Sequence, residues 1–73
     1  MKNASYRHRY EQFLGRLKQA RMEAALTQVQ VARMLKRPQS FVSKIESGER
    51  RVDVVELAEL AQLYKKTLDF FAS

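Results

Sequence analysis

The chain has 73 residues, 45% hydrophobic and 30% charged, with a net charge of +6 and no cysteine. A length like this supports one small hydrophobic core, and without cysteine neither a disulfide framework nor a cysteine-built zinc site is available to it. No apolar run exceeds three residues, against roughly 20 for a membrane span, and no apolar stretch marks a signal peptide, so a cytoplasmic protein is expected.

Charge is unevenly placed. Residues 1–25 and 26–51 each carry six basic and two acidic side chains, whereas residues 52–73 set Lys65 and Lys66 against Asp53, Glu56, Glu59 and Asp69. The first two thirds suit a polyanion, and the last third suits something else.

Apolar residues recur at helical spacing throughout. Tyr10, Phe13, Leu14, Leu17, Ala20 and Ala24 form one stripe of a first helix over about 6–23, whose other face is basic. Thr27 with Gln30 has the spacing of a capping box, so a second helix should start at Gln28, bury Val31, Ala32 and Leu35, and stop before Pro38. Pro38 suits the entrance of a third helix that buries Phe41, Val42 and Ile45 and ends at Gly48. Asp53 with Glu56 opens a fourth helix through Val54, Leu57, Leu60, Ala61 and Tyr64. Thr67 caps a last turn holding Leu68, Phe70 and Phe71. The expected fold is all-α, one compact five-helix domain over residues 1–73.

The pair of short helices at about 28–47, joined by a tight turn and with small Ala32 at their contact, reads as a helix-turn-helix. The run Leu26-Thr27-Gln28 with Val31-Ala32, followed by Pro38-Gln39-Ser40-Phe41-Val42-Ser43-Lys44-Ile45-Glu46-Ser47-Gly48-Glu49-Arg50-Arg51, resembles the phage-repressor and Cro-like helix-turn-helix family, the xenobiotic-response-element type. The likeness extends from about Leu14 to Phe71 and implies a lambda-repressor-like domain whose third helix lies in the DNA major groove. Once Phe41, Val42 and Ile45 turn inward, Gln39, Ser40, Ser43 and Lys44 remain outside as base readers: glutamine pairs with adenine, lysine with guanine, and serine with several edges. An ordinary solvated face would carry the same residue types, and it is the family pattern that assigns them to DNA.

Phosphate contacts are expected from Thr27 and Gln28 at a helix N-terminus, from Ser47, and from Arg50 and Arg51 beyond Gly48. Lys36 and Arg37 in the inter-helix turn are further candidates, with Arg16 and Lys18 behind them. The resemblance implies that Gln28 also braces Gln39, and that Arg21 and Glu46 form a structural salt bridge. The family's usual glycine is replaced by Lys36 in the turn and by Lys65 after the fourth helix, its usual aliphatic residue by Arg37, and its polar cap by Pro38.

Other chemistry finds little support. His8 is a lone histidine without metal-ligand company, Asp53, Glu56 and Glu59 are explained by capping and solvation, and Met22 and Met34 fill gaps. Ser40 and Lys44 form a Ser–Lys pair in spacing only, because an exposed lysine lacks the desolvated pocket that nucleophilic catalysis needs. Neither an enzyme nor a cofactor or metal site is expected.

The reading is therefore a cytoplasmic, nucleoid-associated transcriptional regulator. It acts as a homodimer on an inverted-repeat operator in double-stranded DNA and pairs through residues 54–73, with Leu68, Phe70 and Phe71 at the contact. The alternative is a protein-binding module, such as the antitoxin of a toxin–antitoxin pair, using the same surface for a protein partner.

Overall fold

The computed structural model describes residues 4–72, and within them it contains five helices and no strand: α1 (Ala4–Glu23), α2 (Gln28–Leu35), α3 (Gln39–Ser47), α4 (Val54–Tyr64) and α5 (Leu68–Ala72). α1 begins two residues before its expected start; the other boundaries fall where capping chemistry puts them. Thr27 Oγ1 accepts from the Gln30 N–H at 3.1 Å while Gln30 Oε1 accepts from the Thr27 N–H at 2.8 Å. Asp53 and Glu56 repeat this exchange at 2.7 and 3.2 Å. Each box satisfies two backbone donors that a helix start otherwise leaves without partners.

The core is built from Leu17 and Ala20 of α1, Val31 and Ala32 of α2, Phe41, Val42 and Ile45 of α3, Leu60, Ala61 and Tyr64 of α4, and Phe71. α2 and α3 form the most extensive inter-helix contact, and the small side chain of Ala32 on α2 is buried. α4 runs from Val54 as expected; Val54 is 70% exposed, and the inward place at the head of the helix is taken by Glu56, four residues before Leu60 on the same stripe. One expectation fails. Phe71, expected at a subunit contact, is 2% exposed and packs edge-on against Phe13, so it belongs to this chain's own core. Phe70 is half-buried and Leu68 remains exposed.

Left-handed residues end the first four helices. Gly48 has φ +85°, but Ala25, Lys36 and Lys65 adopt φ near +60° without being glycine. At Lys36 and Lys65 the following N–H, from Arg37 and Lys66, bonds back to Ala32 and Ala61 at 2.9 Å, closing the Schellman turn that requires this geometry. A left-handed non-glycine residue costs roughly 1–2 kcal/mol, partly offset in any glycine replacement by the greater freedom of the unfolded chain. Lys65→Gly should therefore stabilise the domain by about 0.5–1 kcal/mol, read as a rise of a few degrees in Tm. Gly48→Ala should move Tm the other way, since its Cβ would also meet Leu14 Cδ1 at 3.0 Å.

Candidate nucleic-acid interface

α3 divides its residues cleanly. With Phe41, Val42 and Ile45 buried, Gln39, Ser40 and Lys44 stand exposed along one face. Ser43 is half-buried, and its hydroxyl donates to the Ser40 carbonyl at 3.4 Å. Ser47 is exposed at the helix end, where its hydroxyl donates to the Lys44 carbonyl at 3.1 Å and accepts from the Glu49 N–H at 3.4 Å. Pro38 provides no side-chain cap, so the Gln39 and Ser40 N–H groups join the α3 N-terminus as donors without side-chain partners.

The start of α2 lies against α3 through one polar junction. Arg21 Nε donates to Glu46 Oε2 at 2.6 Å and Nη2 to Oε1 at 3.2 Å, while Nη1 donates to the Leu26 carbonyl at 2.9 Å. The two side chains are only 12% and 8% exposed, and hydrogen bonding to Glu46 raises the Arg21 pKa above its ordinary value. Gln28 Nε2 donates to the same Glu46 Oε1 at 3.0 Å. This corrects the expected Gln28–Gln39 brace, because the Gln28 amide is held by Glu46. Tyr64 lies close enough to feel the junction: burial, with the Glu46 charge, pushes its phenol up to about 12.

At the head of α2, the capping box consumes the Thr27 and Gln30 N–H groups and leaves those of Gln28 and Val29 as the donors of this helix end. They sit at the positive end of the helix, where an anionic oxygen is favoured.

The basic residues around α3 separate into two kinds. Arg50 was expected on phosphate, but its guanidinium grips Glu56 with two parallel bonds of 2.8 and 2.9 Å and lies 4.7 Å from the Phe41 ring centroid. Its Nη1 also donates to the Arg51 carbonyl at 3.1 Å. Glu56 is 7% exposed, and the hydrogen bonds from Arg50 hold its carboxyl below the usual carboxylate range against the opposing pull of burial. Arg37 leans over the same ring at 4.3 Å and comes within 3.7 Å of Glu56, outside hydrogen-bond reach, with 43% of its side chain exposed. Lys36 is exposed beside Met34, Leu35 and the α4 residues Glu59, Gln62 and Leu63. Arg51 is exposed and meets α1.

Sequence reasoning missed the Glu56–Arg50–Phe41–Arg37 cluster. Its signal was present in the four-residue step from Glu56 to buried Leu60, which places a carboxylate on the inward stripe and so demands a cationic partner. Tyr6, the partner of Arg51, carried no such signal. Among the described residues, no group of three or more His, Asp or Glu side chains gathers as a metal site would require, and no helix is long and apolar enough to cross a membrane.

Residues 12–69 match the family model described as a helix-turn-helix domain. No curated protein and no solved structure matches the chain.

Proposed function

Because the chain belongs to the helix-turn-helix domain family, we propose that it is a sequence-specific regulator of transcription that binds double-stranded DNA as a dimer and represses by occupying its operator. The observation that carries this reading is the outer face of α3, where Gln39, Ser40 and Lys44 are exposed, together with the donor-bearing start of α2 and the exposed cations Arg37 and Arg51. Side chains of these types match base edges, and the flanking groups match phosphate oxygens. Ser43 contributes by turning its hydroxyl away from the Ser40 carbonyl. Thr27, Gln28 and Ser47 add neutral phosphate contacts. Nothing in the arrangement assigns a catalytic role, and the place of action is the nucleoid in the cytoplasm.

Self-association through residues 54–73 draws on Val54, Val55 and Leu68, which are 70%, 66% and 46% exposed, with the edge of half-buried Phe70. A two-fold dimer places two α3 helices in successive major grooves, about 34 Å apart.

Selection of bound sites from a random duplex pool tests both points and should return an inverted repeat with half-sites about one helical turn apart. Gln39→Ala and Lys44→Ala should each relax discrimination at one base pair by roughly 1–3 kcal/mol, measured on single-position variants of the selected site. Recovery of no preferred sequence, or equal loss by Gln39→Ala on selected and random duplexes, contradicts the assignment. Binding as a single subunit to an unrepeated site would remove the dimer alone.

A further inference from the structure

Arg51, unlike its neighbour Arg50, is fixed without being neutralised. Its guanidinium carbon lies 4.4 Å from the Tyr10 ring centroid and 5.5 Å from that of Tyr6, and its Nη1 donates to the Tyr6 hydroxyl at 2.7 Å. Tyr6 and Tyr10, one helical turn apart on α1, stack with centroids 6.2 Å apart and planes 23° apart. Tyr10 leans on Phe13 at 5.3 Å, and Phe13 on buried Phe71, so the stack rests on the core. Among the described residues no carboxylate comes within ion-pair distance of Arg51, whereas its neighbour Arg50 has Glu56.

A loop arginine ordinarily spreads over many rotamers, and ordering it on binding opposes affinity. Here two rings and one hydroxyl do the ordering in advance, and the exposed guanidinium keeps further donors for another acceptor. A guanidinium held in this way is set to receive an anionic oxygen. Tyr6 and Tyr10 lie before residue 12, outside the segment that matches the helix-turn-helix model, so this platform is an addition to the matched domain.

We infer that the first turns of α1 form an aromatic platform in which Tyr6 and Tyr10 act as positioning residues, holding Arg51 ready for a phosphate of the DNA backbone. The inference rests on the DNA-binding reading above.

A phosphate contact works on any duplex, so the probe is a mixed-sequence DNA duplex titrated with the full chain across a salt series. Arg51→Ala should weaken binding about tenfold and make the slope of log K against log salt shallower by about 0.9 per subunit. Tyr6→Phe removes one hydroxyl from a residue that is 39% exposed, leaving the ring in place. It should weaken binding about threefold, because the ring still carries the guanidinium and only part of its ordering is lost, with unchanged Tm because the bond is exposed. In the Arg51→Ala background the same change should do nothing. A parent-level affinity for Tyr6→Phe, or an undiminished effect of it in the Arg51→Ala background, overturns the platform while leaving DNA binding intact. Failure of the parent chain to bind any duplex overturns both.

Discussion

Glu46→Ala should cost the domain a large share of its stability and its DNA binding together. The substitution leaves the Arg21 guanidinium, on a side chain only 12% exposed in the parent, with only the Leu26 carbonyl as a partner, and it strips the Gln28 amide of its acceptor. Leaving one partner of a fully buried ion pair uncompensated costs roughly 3–5 kcal/mol, and this part-buried pair falls toward the lower figure. A domain of this size has about 4–11 kcal/mol of stability in total. The same carboxylate joins the end of α1, the start of α2 and α3, so its loss also frees the two helices that the proposed mode of binding sets against DNA in fixed register. Glu46→Gln, which keeps one oxygen acceptor for Arg21, should fall between the parent and Glu46→Ala in thermal melts. A melting temperature for Glu46→Ala equal to the parent's would show that the junction is ornamental to the fold.

The parts legible in the sequence are those governed by neighbours three or four residues away. Thr27 with Gln30 and Asp53 with Glu56 announce helix starts because each capping box is complete within four residues. The stripe Phe41, Val42, Ile45 leaves little choice about which face of α3 is outward. Arg50 and Arg51 show where such reading ends. They are adjacent and identical in type, yet one is bound to Glu56 and the other lies on two tyrosines of a helix more than forty residues away. Only tertiary packing separates them. The Gln28 partner was misplaced for a related reason: Glu46 was already assigned to Arg21, and a carboxylate accepts from both at once. Phe71 was misread because α5 spans five residues, too few for periodicity to tell a buried ring from an exposed one.

The division between neutralised and un-neutralised arginines sets a second large effect, the salt dependence of binding. A count from the sequence that includes Arg50 gives four phosphate-neutralising cations per subunit, Lys36, Arg37, Arg50 and Arg51, and a slope of log K against log salt of roughly −7 for a dimer. With Arg50 held by Glu56, three remain, and at about 0.9 per contact the dimer slope becomes roughly −5. Between about 50 and 200 mM salt, affinity should then fall on the order of 10³-fold. Arg50→Ala should leave this slope unchanged. Glu56→Gln keeps an acceptor for the Asp53 N–H of the capping box but cancels the charge that holds Arg50, and so should steepen the slope toward −7. Affinity measured on one duplex across a salt series distinguishes the two counts. A parent slope near −7 that becomes shallower in Arg50→Ala would mean that the Arg50 guanidinium leaves Glu56 for phosphate when DNA is bound.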